Sequence, residues 1–121
     1  MTALKLRILF DGAMIGPGKA ALLEGIEVTG SIAAAGRQMQ MSYKRAWMLV
    51  EEMNAAFAQP LVASARGGQG GGGARLTEFG AEVLRLYREV VARSEAAAAE
   101  PIAALEGMLR LKAESELSGG K

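Results

Sequence analysis

The sequence predicts a mainly α-helical fold with one small β-hairpin, an α+β class, and three observations predict it. Apolar residues recur every three or four positions in several segments, which is the spacing of the buried face of an α-helix. Two of these segments are separated by a turn of about three residues, Gln40 to Ser42. Two short apolar runs bracket a glycine-rich stretch, residues 67 to 73, and such a pattern is typical of a hairpin.

The composition limits what this chain can do. It has 121 residues, 50% of them hydrophobic, which is enough for one domain with an appended segment. It contains no His and no Cys, so His-dependent catalysis, His- or Cys-ligated zinc and disulfides are excluded. No apolar run is long enough to span a membrane, and Met1 to Asp11 lacks the features of a signal peptide. We therefore predict a cytoplasmic protein that is not an enzyme and has no cofactor or metal site.

The first elements are a strand and a helix. Leu4 to Phe10 alternates apolar and basic residues and ends at Asp11-Gly12, which predicts a half-buried strand followed by a turn. A helix is predicted from Pro17 to Gly30, because proline suits the first turn of a helix and glycine suits its end. Its buried face would carry Leu22, Leu23, Ile26 and Val28.

The next two helices form a helix-turn-helix. Ser31 is the predicted N-cap of a short helix from Ile32 to Met39, and Ser42 is the predicted N-cap of a longer helix from Tyr43 to Phe57. The second helix is basic at its start, and the turn between the two helices is short. Its apolar stripe consists of Ala46, Leu49, Val50, Met53 and Phe57.

The glycine-rich stretch could be a linker, a phosphate cradle or a hairpin. A linker would join two folded halves, but a single amphipathic helix follows it. A phosphate cradle of the GxxxxGK[ST] type needs a lysine, and Gly67 to Thr77 contains none. Leu61 to Ser64 and Ala74 to Leu76 can pair as strands, and glycine lets the backbone approach a surface closely. The stretch is therefore predicted to be the wing of a winged helix-turn-helix.

The last third of the chain is predicted to pair helices. Thr77 can cap a long helix from Glu78, whose seam consists of Val83, Leu86, Tyr87, Val90 and Val91. Glu100-Pro101 is expected to interrupt that helix. These elements predict a winged helix-turn-helix domain over residues 1–76, a C-terminal dimerisation helix or helices over 77–112 and a flexible tail over 113–121.

Positive charge is concentrated in the middle of the chain. The net charge is only +1, but residues 31–76 hold five basic and two acidic side chains, a balance of +3. Such asymmetry indicates an anionic partner for that part. In the first turn of the predicted recognition helix, Ser42, Tyr43, Lys44 and Arg45 are candidates for contact with DNA. Lys44 suits a phosphate, whereas the planar fork of Arg45 suits a guanine edge.

Other candidates have a second interpretation. Trp47 lies one position off the apolar stripe, so it could flank the core, which we favour, or lie against the DNA backbone. Ser31 could be a plain cap or a phosphate donor, and Arg66 and Arg75 flank the wing glycines, where phosphate contact is favoured. The candidate DNA-contacting residues are Ser31, Ser42, Tyr43, Lys44, Arg45, Trp47, Arg66, Gly70, Gly71, Gly72 and Arg75.

Three segments carry a family resemblance: GSIAAAGRQMQMSYKRAW at 30–47, EEMN at 51–54 and GGQGGGGARLTEFG at 67–80. They resemble the N-terminal DNA-binding domain of the ModE molybdate-responsive transcription regulators and, more distantly, the LysR-type winged helix. The resemblance covers residues 4 to about 91. It implies a homodimer that pairs through the long C-terminal helix and presents two recognition helices to a pseudo-palindromic operator in double-stranded DNA.

The resemblance implies a sequence-specific bacterial transcription regulator related to molybdenum, either a repressor or an activator. Family members that sense molybdate carry it in oxyanion-binding modules after this domain, and we expect no such module in this sequence. Two alternatives stay open, a molybdate or tungstate sensor and a protein-interaction module of molybdenum metabolism.

Overall fold

A computed structural model describes residues 2–66 and 72–110. Their elements in chain order are β1 (Ile8–Phe10), β2 (Ala13–Ile15), α1 (Pro17–Thr29), α2 (Ile32–Gln38), α3 (Tyr43–Ala56), β3 (Val62–Arg66), β4 (Gly72–Leu76), α4 (Glu78–Ala97) and α5 (Ala99–Gly107). One compact unit reaches to Val91, and a second begins at Ala92. The predicted tail, residues 113–121, lies outside the described residues, and so do Gly70 and Gly71 of the predicted wing. The mainly helical α+β class is confirmed.

The N-terminal strand belongs to a hairpin that the sequence did not predict. β1 pairs antiparallel with β2, and Ile8 lies opposite Ile15. The chain reverses at Gly12, whose φ of +90° lies in the left-handed region that favours glycine. β1 is shorter than the predicted strand, which began at Leu4. β2 has three residues between turn signals, too few to establish an alternating pattern.

α1 begins and ends as predicted. Pro17 occupies its first turn, and Gly30 ends it at φ +74°, with the Gly30 N–H donating to the carbonyl of Ile26 over 2.8 Å. Leu22, Leu23 and Ile26 are fully buried. The expectation that Val28 faces the core is wrong, since its side chain is 75% exposed. Two residues rotate a helix by about 200°, so Val28 points away from the face of Ile26.

The helix-turn-helix packs closely because small residues lie between its helices. A Cβ added to Gly36 of α2 would approach the Cβ of Ala46 in α3 to 3.0 Å. A Cβ added to Gly25 of α1 would approach Ala35 of α2 to 2.9 Å. α3 buries Ala46, Val50 and Met53, so the predicted stripe is confirmed. The buried core of the first unit consists of Ile15, Ala20, Leu22, Leu23, Ile26, Ala35, Ala46, Val50, Met53, Leu61, Val62, Ala74, Leu84 and Tyr87.

The predicted wing is an antiparallel hairpin. β3 and β4 pair from Val62 opposite Leu76 to Arg66 opposite Gly72. The Ala74 N–H donates to the Gly30 carbonyl over 2.9 Å, which attaches β4 to the end of α1. This bond holds the hairpin beside the junction of α1 and α2.

α4 completes the core of the first unit. The Thr77 hydroxyl accepts a hydrogen bond from the Gly80 N–H at 2.9 Å, which confirms the predicted cap. Tyr87 is buried and donates its hydroxyl to the carbonyl of Leu6 over 2.7 Å. The expected interruption at Glu100-Pro101 comes earlier, between Ala97 and Ala99. Pro101 lies in the first turn of α5, where its missing N–H costs no helical hydrogen bond.

Candidate nucleic-acid interface

The start of α3 presents polar and charged groups to solvent. Ser42 caps the helix by accepting a hydrogen bond from the Arg45 N–H over 3.1 Å. Tyr43, Lys44 and Arg45 are exposed. Because the Ser42 hydroxyl acts as an acceptor in the cap, its proton stays available for donation to a phosphate oxygen. Ser31 caps α2 in the same way, accepting from the Ala34 N–H over 3.0 Å.

The cations at the start of α3 have no counter-ion within the described part of the chain. Among residues 2–66 and 72–110, neither Lys44 nor Arg45 makes an ion pair. Glu52, further along α3, is held by Lys19 of α1 at 3.1 Å. Lys19 is 6% exposed and also donates to the Met14 carbonyl over 3.1 Å. The positive charge at the start of α3 is therefore available to an external anion.

α2, α3 and the hairpin enclose a groove of about 260 Å³. It is lined by Ser31, Ile32, Ala33, Tyr43, Trp47, Ser64, Gly73 and Ala74. The groove brings together three of the predicted contact residues, Ser31, Tyr43 and Trp47. The favoured core position of Trp47 is wrong, because 44% of Trp47 is exposed. Ala46 occupies the core side of α3, and one residue further the helix has turned by about 100° toward the groove.

The structure does not bring Arg75 into this groove. Arg75 is exposed on β4 and borders a separate hollow with Glu27 of α1. Arg75 is paired with Ala63, one position along from the Ser64–Ala74 pair that lines the groove, and neighbouring pairs on a hairpin point to opposite faces. Gly72 pairs with Arg66 at the outer end of the hairpin, whereas Gly70 and Gly71 lie outside the described residues, as does the Arg66 side chain.

Ser64 was missed by the sequence interpretation. It lies in the middle of β3, is exposed and lines the groove opposite α3. A polar residue between Ala63 and Ala65 in a short strand was the available signal. Its orientation, however, depends on the pairing register, which places Ser64 opposite Ala74.

The described part of the chain contains neither a metal cluster nor a membrane span. No group of three or more Asp or Glu side chains in residues 2–66 and 72–110 could hold a metal ion. None of the helices in these ranges is both long enough and apolar enough to cross a bilayer.

No family model matches the chain, but curated proteins do. It is 41% identical over 108 residues to the molybdenum-pterin-binding protein MopB of Rhodobacter capsulatus, covering 89% of this chain and 38% of that protein. It is 44% identical over 71 residues to the transcriptional regulator ModE of Yersinia pestis, covering 59% of this chain and 27% of that protein. It is 42% identical over 71 residues to the DNA-binding transcriptional dual regulator ModE of Escherichia coli K12. The chain thus spans less than two fifths of the length of these relatives.

A solved structure shares the fold. The chain in the crystal structure of a CbnR_DBD–DNA complex superimposes with a TM-score of 0.56 at 18% identity. The match covers 73% of this chain and 95% of that one. This similarity confirms the winged helix fold, and the sequence matches confirm the resemblance to the ModE family.

Proposed function

Because the chain is related in sequence to ModE proteins and has a winged helix fold, we propose that it is a sequence-specific DNA-binding regulator of transcription. The observation that carries this proposal is the start of α3, where exposed Lys44 and Arg45 have no ion-pair partner among the described residues. The proposed role is binding without catalysis, on DNA in the cytoplasm.

In this proposal α3 enters the major groove with its first turn leading. Arg45 reads a guanine edge, since its two parallel N–H groups match the two acceptors of guanine. Lys44 neutralises a phosphate as a flexible point charge. The hydroxyls of Ser31 and Ser42 donate to neighbouring phosphates, because each keeps its proton while it caps a helix.

The groove beside α3 supports a contact with the sugar-phosphate backbone. Tyr43 and Trp47 lie one helical turn apart, and both line the groove that Ser64 of the hairpin closes. Aromatic rings can pack on a deoxyribose while Ser64 donates to a phosphate. The wing glycines Gly70, Gly71 and Gly72 would let the hairpin backbone approach the duplex, with Arg66 and Arg75 beside them.

We further propose that the regulator is a homodimer. An apolar groove of about 480 Å³ borders α4, lined by Ile8, Phe10, Phe57, Val83, Leu86, Tyr87 and Val90. Leu86 and Val90 of the predicted seam are 47% and 40% exposed, so the part of the predicted dimerisation region (77–112) that lies in the first unit has an exposed apolar face. A second copy of α4 that covers it would present two α3 helices to a pseudo-palindromic operator.

The names of the relatives favour a link to molybdenum. MopB is described as a molybdenum-pterin-binding protein, and other relatives as molybdenum transport proteins or transcriptional regulators. We propose that this chain controls transcription in molybdenum metabolism. Calorimetry with molybdate, tungstate and sulfate tests whether it also binds an oxyanion, and heat from molybdate and tungstate alone would identify a sensor.

In vitro selection of bound DNA tests the function, the half-site spacing and the dimer together. We expect a pseudo-palindromic motif for the wild type, a relaxed motif for Arg45→Ala and an unchanged motif with uniformly weaker binding for Arg66→Ala. No enrichment with the wild type would refute DNA reading and favour a protein-interaction module. Identical motifs for the wild type and Arg45→Ala would refute the role of Arg45.

A further inference from the structure

Asn54, near the end of α3, is bonded to the first residues of the hairpin rather than to its own helix. Its Oδ1 accepts hydrogen bonds from the N–H groups of Leu61 at 2.8 Å and Val62 at 3.2 Å. Its Nδ2 donates to the Val62 carbonyl over 3.2 Å. An amide carries an acceptor and a donor side by side, so asparagine satisfies all three backbone groups at once. A hydrophobic residue of similar size would leave them unpaired.

The same point in the chain is held from the other side by α4. The Thr77 N–H donates to the Leu61 carbonyl over 3.0 Å, and the Thr77 hydroxyl donates to the Pro60 carbonyl over 2.7 Å. Gly80 passes so close to the Leu61 carbonyl that any Cβ would overlap it. Leu61 itself is fully buried. The base of the hairpin is therefore fixed to α4 by Thr77 and to α3 by Asn54.

From this arrangement, and resting on the proposed DNA-binding function, we propose that Asn54 is a positioning residue. It sets the spacing between the start of α3 and the hairpin, so that both contact one duplex as a single unit. Its side chain joins α3 to the start of β3. These two elements carry Tyr43, Trp47 and Ser64 of the groove. Among residues 2–66 and 72–110, the other hydrogen bonds that hold the hairpin run to the end of α1, from Ala74 to Gly30, and to the start of α4, through Thr77.

Amide hydrogen exchange of the free protein tests the mechanical part. The variant is Asn54→Ala, and the matched control is Val50→Ala, which truncates a buried α3 residue on the core side. We expect the β4 amides of Asn54→Ala to exchange more than tenfold faster relative to the α1 amides. Val50→Ala should accelerate both sets alike, since it weakens the common core. Equal acceleration in both variants would overturn the proposal.

A double-mutant cycle with DNA tests the functional part. The selected operator is titrated with the wild type and with Asn54→Ala, each carrying either Arg45→Ala on α3 or Ser64→Ala on the hairpin. In the Asn54→Ala background we expect Ser64→Ala to weaken binding less than twofold, although it weakens binding by the wild type severalfold. Arg45→Ala should keep its full effect in both backgrounds, because α3 itself is intact.

The outcomes separate this proposal from the function on which it rests. The positioning role is refuted if Ser64→Ala lowers operator affinity as much in Asn54→Ala as in the wild type. It is also refuted if Ser64→Ala leaves the operator affinity of the wild type unchanged. In both cases the proposed DNA binding stands. If the wild type selects no DNA, the proposed function fails, and the exchange experiment still decides whether Asn54 fixes the hairpin to α3.

Discussion

The start of α3 and the exposed side of α4 both carry basic side chains, but the environments of these side chains differ. Lys44 and Arg45 point into solvent without a carboxylate partner among the described residues. On α4, Arg85 is bonded to Glu82 at 2.7 Å and to Glu89 at 3.2 Å. The charge at the start of α3 is available to an external anion, whereas Arg85 is neutralised by glutamates of its own helix.

The side chains left exposed around the groove beside α4 are apolar rather than charged. Phe10, Leu86 and Val90 are each at least 40% exposed around the apolar groove. Arg88 of the same helix is paired with Glu24 at 3.1 Å. An exposed apolar patch favours another protein surface, while cations without an ion-pair partner favour nucleic acid. The net charge of +1 conceals this division, because it sums over both surfaces.

The largest effect should come from charging the α4 face. Leu86→Glu with Val90→Glu places carboxylates in the apolar groove, which should separate a dimer into monomers. Loss of the second half-site contact lowers operator affinity by about 10²- to 10⁴-fold. Sedimentation and mobility-shift titration measure the two effects. Val28→Glu, at an exposed apolar residue of α1, is the control and should change neither. A double variant that stays dimeric would show that α4 does not pair the chains.

Arg45→Ala should have the next largest effect. Loss of a bidentate guanine contact costs about 1–3 kcal/mol, or about 5- to 150-fold in affinity for the preferred site. The loss should be confined to sequences with the matching base, which fluorescence anisotropy with single-base variants of the operator would measure. A uniform loss over all sequences would instead assign Arg45 to a phosphate.

Lys44→Ala should change the salt dependence rather than the choice of sequence. Removal of one phosphate contact reduces the slope of log affinity against log salt by about 0.9. Titrations at several potassium chloride concentrations give this slope. Lys5→Ala removes the same charge from an exposed N-terminal position outside the proposed interface and is the control. If both variants keep the wild-type slope, Lys44 makes no phosphate contact.

Tyr87→Phe tests the core beneath the α4 face. Loss of the hydrogen bond to the Leu6 carbonyl should lower the free energy of unfolding by about 1 kcal/mol at neutral pH. Burial raises the pKa of Tyr87 above its ordinary 10.0, so the folded protein favours the neutral phenol. The stability contributed by this shift is present below pH 10 and is lost as the pH rises further. Urea unfolding should therefore become less pH-dependent above pH 10 in Tyr87→Phe, and an unchanged profile would contradict the assignment.

The smallest effect is expected from Arg85→Ala. Hydrogen bonds from Arg85 lower the pKa of Glu82 below its ordinary 4.5, so any stability from this pair is present at neutral pH and lost as the pH falls. Because both side chains are more than half exposed, solvent screens the pair, and the melting temperature at pH 7 should barely move. DNA affinity of the dimer should be unchanged. A loss of DNA affinity comparable with that of Arg45→Ala would contradict the difference proposed between the start of α3 and the exposed side of α4.

The caps and the helix faces could be predicted from the sequence because they depend on neighbours within one or two turns. Ser31, Ser42 and Thr77 cap their helices through N–H groups three residues away. Pro17 and Gly30 likewise act on their own backbone. β2 was missed because three residues carry too little pattern, although pairing with β1 stabilises them.

Side chains whose partners are distant in sequence could not be predicted. Trp47 is half-exposed beside the hairpin, and Arg75 borders a hollow away from α3. Asn54 lies within a motif that supported the family resemblance, yet its hydrogen bonds to Leu61 and Val62 follow from how the chain returns after α3.

The sequence by itself determined the helix caps, most of the buried helix faces, the wing hairpin and the basic middle of the chain, because these follow from local backbone preferences and from counting charges. Only the tertiary structure decided which surfaces face one another. It assembled the groove between α3 and the hairpin, paired the cations of α4 and left Lys44 and Arg45 exposed. The physical reason is that ion pairs and grooves depend on distances between elements, and packing of the buried core sets those distances.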